Sequence, residues 1–266
     1  GFFTGGRHFV RSENRHFSRS GTHVYVPAPP RPIRVAGRLR LAVVAGERCL
    51  LFDPADGKLL YDDRLPARPD RPGSWGDVDG DGVEDLIWTA RRPPAPGLTH
   101  ELADIAAWSV AKRTSLWTIS LAARFPHQES WMVPPATWPH VVDLNGDGAA
   151  EVIAPDGNSG AGVLGKTTHV PWGEIVVLDG KSGGPLWRKR VCSGDQQVEH
   201  LSAGPDIDGD GHREIYAATL AGVPLRAYVD CLSGRDGSSL WTAPVDFRPG
   251  SDHYGIVLTA PTWWNA

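Results

Sequence analysis

Short uninterrupted apolar runs recur along this chain, at LIW 86–88, VIA 152–154 and IYA 215–217. Each is rich in β-branched or aromatic residues and follows a polar, glycine-bearing stretch, so it reads as a strand leaving a turn. Between these runs lie segments whose apolar positions flank a small turn and close on an aromatic. They are LFDPADGKLLY to Tyr61, AWSVAKRTSLW to Trp117, VLDGKSGGPLW to Trp187 and DCLSGRDGSSLW to Trp241. Leu precedes the closing aromatic every time, and Gly or small polar residues stand at the turn, so each segment reads as a β-hairpin.

The two patterns run in phase. Asp77 to Asp143 is 66 residues and Asp143 to Asp206 is 63. A unit of this size holds a hairpin, a third strand, an acidic loop and a fourth strand, which is one blade of a β-propeller. The expected fold is therefore all-β, a propeller of four-stranded antiparallel blades with about four present. Cut this way, residues 47–90, 102–155 and 173–219 supply four strands each and 225–264 supply three. The recurring Trp residues are expected to fill the interfaces between blades.

The acidic loops carry the candidate chemistry. They read DVDGDGVEDLIW from Asp77 (loop A, 77–85), DLNGDGAAEVIA from Asp143 (loop B, 143–151) and DIDGDGHREIYA from Asp206 (loop C, 206–214). Carboxylates at positions 1, 3 and 5 converge because Gly at position 6 lets the backbone turn sharply. Position 7 adds a carbonyl and position 9 another carboxylate. The expected ligands are Asp77, Asp79, Asp81, Val83 and Asp85 in loop A. Loop B offers Asp143, Asn145, Asp147, Ala149 and Glu151, and loop C offers Asp206, Asp208, Asp210, His212 and Glu214. Hard oxygen donors without Cys clusters favour Ca²⁺ over softer metals, which predicts three calcium sites. An EF-hand requires Glu at position 12 and flanking helices, whereas position 12 here is Trp88, Ala154 or Ala217. Loop B has three carboxylates against four in A and C, so it is expected to bind most weakly.

On these residues the acidic loops resemble the FG-GAP repeat of integrin alpha-chain propellers, and the hairpins resemble the PQQ-like propeller repeat. The resemblance covers 39–266. It implies a calcium-bearing propeller acting in adhesion or assembly. The PQQ cofactor is not expected, because no adjacent Cys pair and no cofactor-binding set accompany the hairpins. Propeller-type rhamnogalacturonan lyases are similar in alternating acidic loops with strands ending in Leu-Trp. The enzymatic alternative is thus a polysaccharide lyase acting on uronate-containing glycans, with Arg and His neutralising the carboxylate and moving a proton.

Charge divides the chain. Residues 1–40 hold eight Arg and one acidic residue, whereas 41–266 hold 19 basic and 30 acidic residues. Residues 1–38, with the VPAPPRPIR stretch, read as a basic extension or linker, and 39–266 as the propeller. The acidic body argues against nucleic acid as a partner, and no apolar run approaches the roughly 18 residues of a membrane span. Cys49, Cys192 and Cys231 are too few for a disulfide framework, although Cys192 and Cys231 could pair if adjacent strands met. Residues 160–167, GAGVLGKT, match a P-loop formally. Pro171 and a strand near Glu174 leave no room for the helix that a P-loop must open, so the stretch reads as a Gly-rich insertion.

Long connections fall on the face opposite the acidic loops. Arg91, Arg92, His100, His127, His169 and Trp172 come from those segments or their edges and form the candidate recognition surface. No nucleophile elbow or zinc-spaced cluster occurs. The sequence therefore predicts a calcium-stabilised recognition module binding a protein or glycan outside the cell or in the periplasm, where calcium is millimolar. Further blades or domains are expected in the full-length protein. Leu39–Ala45 resembles a strand that has lost its acidic loop, and APTWW at 260–264 resembles PATW ahead of loop B. These ends predict part of a seven- or eight-bladed ring. A four-bladed ring would instead be sealed by pairing of 39–45 with 255–264.

Overall fold

The computed structural model describes residues 30–69, 73–92, 102–120, 139–157, 172–193, 197–221 and 226–245. Sixteen strands form four antiparallel sheets in chain order. Sheet 1 contains β1 (Arg31–Val35), β2 (Arg38–Ala45), β3 (Arg48–Phe52) and β4 (Leu59–Arg64). Sheet 2 contains β5 (Ser74–Gly76), β6 (Asp85–Arg92), β7 (Leu102–Ser109) and β8 (Thr114–Ser120). Sheet 3 contains β9 (His140–Val142), β10 (Glu151–Gly157), β11 (Trp172–Leu178) and β12 (Pro185–Ser193). Sheet 4 contains β13 (Gln197–Ala203), β14 (Ile215–Ala221), β15 (Arg226–Leu232) and β16 (Ser239–Val245).

Consecutive sheets pack face to face, which makes them blades of a β-propeller. The apolar run after each loop is uninterrupted because its strand is covered on both sides. In β6, Leu86 and Trp88 join Ala42, Val44 and Leu51 of sheet 1, whereas Ile87 joins Val152, Val176 and Leu178 of sheet 3. Ile153, Ile175 and Val177 of sheet 3 then pack on Leu201, Ile215 and Leu232 of sheet 4. The fourth strands lie at the rim, and β16 is largely exposed.

The closing aromatics bind the next blade, as blade packing requires. The Trp117 indole N–H donates to the Gly180 carbonyl at 2.6 Å, and Trp187 donates to Gly234 at 2.8 Å.

Two sequence expectations change, and one alternative is set aside. Each hairpin closes its own sheet, and the strand before each acidic loop begins the following sheet, so the blades are 31–64, 74–120, 140–193 and 197–245. A cyclic repeat identifies neighbouring strands but not which connection crosses between sheets; packing of the closing aromatic on the next blade decides that. The first blade also begins within the stretch read as an extension, since β1 pairs with β2 from Arg31↔Ala42 to Val35↔Arg38. Finally, Leu39–Ala45 lies in β2, whose edges are taken by β1 and β3. It holds the place of β6, β10 and β14, with a turn at Ala36–Gly37 where they follow an acidic loop. Residues 255–264 lie outside the described residues. Among the described residues, no buried apolar cluster joins sheet 4 to sheet 1.

Candidate functional site

Each acidic loop joins the first and second strands of its sheet, and a common set of hydrogen bonds shapes it. The first Asp accepts amides of the residues that follow: Asp77 from Gly80 and Gly82 at 2.8 and 2.7 Å, Asp143 from Gly146 and Gly148 at 2.7 and 3.0 Å, and Asp206 from Gly209 and Gly211 at 2.7 and 3.0 Å. This wrapping needs left-handed backbone at positions 4 and 6, with φ between 75° and 89° in all three loops. The position-9 carboxylate folds back to the position-2 amide: Asp85 accepts Val78 N at 3.2 Å, Glu151 accepts Leu144 N at 2.8 Å and Glu214 accepts Ile207 N at 2.8 Å.

The loops differ in what is left over. Oxygens of Asp77, Asp79 and Asp85 lie within 4.8 Å of one another, as do those of Asp206, Asp208 and Asp210. In loop A, Oδ1 of Asp79 and Oδ1 of the fully buried Asp85 have no hydrogen-bond partner, and in loop C neither does Oε2 of the fully buried Glu214. In loop B, the Asn145 amide donates to Glu151 Oε1 at 3.3 Å, so both Glu151 oxygens are partnered. Buried anionic oxygens without a donor are costly, and a bound cation relieves that cost. Asp77, Asp79 and Asp85 of loop A and Asp206, Asp208 and Asp210 of loop C thus fit a hard divalent cation, while Asp81 and Glu214 lie outside those clusters; loop B has already satisfied its own carboxylate.

Burial and crowding raise the affinity for protons of three of the loop carboxylates, Asp81, Asp85 and Glu151. Burial, and then the charge of Asp79, push Asp85 up to about 7. Burial also raises Asp81 and Glu151.

Position 8 has a role that the metal-ligand pattern did not reveal. Ala150 N of loop B donates to the Asp77 carbonyl of loop A at 2.7 Å, and Arg213 N of loop C donates to the Leu144 carbonyl of loop B at 2.8 Å. Glu84 of loop A accepts Arg31 of β1 at 2.7 Å. The loops are therefore chained across the seams between blades. The only available sequence signal was their constant phase relative to the hairpins.

The acidic loops and hairpin turns share one end of the sheets, as Ser233 Oγ on Asp210 Oδ2 at 3.1 Å illustrates. At the other end, Arg91 and Arg92 pair with Ala103 and Leu102, and Trp172 pairs with Ser193. His100, His127 and His169 lie outside the described residues, as does 160–167. Cys49 and Cys231 are free and buried, so Cys231 forms no bridge to Cys192. Burial pushes the Cys49 thiol up to about 12, as for an inert core thiol. Among the described residues, no helix is long and apolar enough to cross a membrane.

No protein-family model matches the chain, and neither does any curated protein sequence. Among solved structures it is similar to the rhamnogalacturonan lyase YesW at 20% identity and a TM-score of 0.43, over 80% of this chain and 43% of that one. A quinohemoprotein alcohol dehydrogenase of Pseudomonas putida HK5 is similar at 10% identity and a TM-score of 0.43, over 77% and 32% of the two chains. The V. cholerae biofilm matrix protein Bap1 is similar at 17% identity and a TM-score of 0.34, over 82% and 39%. The chain spans less than half the length of each.

Proposed function

We propose that this chain is a calcium-stabilised β-propeller recognition module without chemistry of its own, binding a protein or glycan outside the cell. The observation that supports it most is the set of buried, unpartnered carboxylate oxygens in loops A and C. Calcium supplies two positive charges and accepts six to eight oxygens. Asp77, Asp79, Asp81 and Asp85 would hold it in loop A, with Asp206, Asp208, Asp210 and Glu214 in loop C; Val83 and His212 would add carbonyls. Asp143, Asp147, Glu151 and the Ala149 carbonyl, with Asn145, form a weaker third site. Because these loops tie adjacent blades together, the ions would stiffen the seams and leave the opposite end for ligands. Arg91, Arg92 and Trp172, with His100, His127 and His169, are the proposed contacts there. Sites of this kind fill at extracellular calcium, and further blades or domains would share the task.

The test is retention on immobilised glycans, pectin fragments among them, read together with absorbance of an unsaturated product. Retention that Arg91→Ala and Arg92→Ala abolish, with no product formed, supports the reading. Product release overturns it in favour of a polysaccharide lyase.

A further inference from the structure

Loop A already contains a cation from its own chain. Lys112 Nζ lies 2.7 Å from Asp79 Oδ2 and 3.8 Å from Asp81 Oδ2. It reaches in from the turn between β7 and β8. The corresponding residues of the other turns are Asp56, Ser182 and Asp236, none of them a cation. Asp79 is turned toward it. In loops B and C the position-3 side chain accepts the position-5 amide, at 2.8 Å for Asn145 and 3.0 Å for Asp208. In loop A that amide, Asp81 N, donates to Asp77 Oδ1 at 3.1 Å instead.

The ammonium is an incomplete fit. The Asp79 side chain is only 7% exposed and Asp85 is 0% exposed. Oδ1 of each lacks a partner while sharing the cluster with Asp77. A single tethered charge neutralises Asp79 Oδ2 and leaves those two oxygens unmet. Lys112 itself is 51% exposed, so it can swing into solvent with only a modest loss of packing.

We propose that Lys112 is a tethered competitor for the loop A calcium site, occupying the outer carboxylates in the metal-free protein and expelled when the divalent ion enters. The proposal rests on the reading of the loops as calcium sites. An ammonium and a divalent cation on the same carboxylates repel strongly, so calcium must displace Lys112 from loop A, whereas among the described residues no Lys or Arg pairs with the loop C carboxylates, only His212 at 3.5 Å from Asp210. Two loops with the same number of carboxylates thus become a graded pair, with loop C filling first.

Calorimetric calcium titration of the intact chain tests this beside lysine acetylation read by mass spectrometry. The wild type should show a tight class at loop C, an intermediate class at loop A and the weakest binding at loop B, and Asp81→Asn should abolish the intermediate class. Lys112→Met and Lys112→Gln should each tighten that class about three- to tenfold, the scale of losing one competing ion pair and its repulsion, and leave the tight class unchanged. Calcium should raise acetylation of Lys112 relative to Lys58, which stands on the turn of the sheet that has no acidic loop. Normal calcium binding with unaltered constants in both variants, or with unchanged Lys112 acetylation, overturns the competitor role alone. Absence of calcium binding by the wild type overturns the calcium reading and this inference with it.

Discussion

The Arg113 guanidinium lies 4.4 Å over the ring of Tyr61 across the seam between sheets 1 and 2. Arg113 has φ +56° at the turn position that Gly57, Gly183 and Gly237 occupy with φ near +70°. At the other two seams the ring takes the space of the missing side chain: a Cβ on Gly183 would meet Trp117 at 2.6 Å, and one on Gly237 would meet Trp187 at 2.7 Å. Tyr61 is smaller than Trp, and Arg113 fills the difference while binding Asp63 through Nε and Nη2 at 2.5 to 3.1 Å.

Arg113→Ala should therefore destabilise the chain, because it keeps the left-handed backbone and loses the contacts. Arg113→Gly should be more stable than Arg113→Ala by about 1 kcal/mol, the usual difference at such a position. Tyr61→Trp should stabilise only in combination with Arg113→Gly. Additive effects in a double-mutant cycle by urea denaturation would show that the seam does not couple the two residues.

Trp117→Phe retains most of the apolar contact but leaves the buried Gly180 carbonyl without its donor, at a cost of about 1–3 kcal/mol. Trp241→Phe should cost less, since Trp241 is 41% exposed. Equal losses in the two variants would mean that the Trp117–Gly180 bond contributes little.

Much of this arrangement was legible in the chain. The short LIW, VIA and IYA runs marked strands, and the Leu-aromatic endings marked the hairpins. The repeat did not mark the sheet boundary, because a cyclic pattern looks the same wherever it is cut. The acidic loops were legible as donor sets, as was the carboxylate that loop B lacks, yet the hydrogen bonds and ion pairs that distinguish them were not. Whether Asn145 satisfies Glu151, or Lys112 enters loop A, depends on side chains brought together by turns 6 to 33 residues apart. The position-8 amides of Ala150 and Arg213 were invisible for a simpler reason: any residue other than proline provides one.

Calcium removal should lower the melting temperature. With a dissociation constant near 10⁻⁴ M and millimolar calcium, each filled site contributes about 1.4 kcal/mol. Two full sites then correspond to a shift on the order of 5–10 °C for a chain of this size. Hydrogen exchange should slow at the Ala150 and Arg213 amides when calcium is added, because both bridge the loops across seams. A melting curve unmoved by excess chelator, on protein first verified as metal-loaded, removes calcium from the account of stability.

Without metal, stability should fall as pH rises toward 7. Asp85 in the folded chain is raised to about 7 from an ordinary value near 4. The folded state therefore binds more protons than the unfolded state between those values, and its stability declines through that window. Asp85→Asn cannot titrate there. In chelator, the difference in melting temperature between wild type and Asp85→Asn should move in the variant's favour from pH 5 to pH 7. A difference that stays constant would mean that Asp85 is not held as an acid in the folded state.

Asn145→Asp tests whether loop B is a site closed by a single residue. The Asn145 amide now donates to Glu151 Oε1 at 3.3 Å and lies 3.5 Å from Asp147 Oδ2, serving as a neutral clasp between two carboxylates. Replacing it with Asp removes the donor and adds a like charge beside a Glu151 whose proton affinity burial has already raised. The metal-free variant should lose stability, by roughly 1–3 kcal/mol for the unpartnered buried oxygen. The same change gives loop B the four-carboxylate pattern of loops A and C. Calcium should therefore stabilise the variant more than it stabilises the wild type, by about one additional filled site. Asn145→Ala is the control, since it loses the clasp without gaining a ligand and should show no added calcium response. If Asn145→Asp and Asn145→Ala respond alike to calcium, carboxylate count does not govern binding in these loops, and the backbone of loop B must hold its donors too far apart.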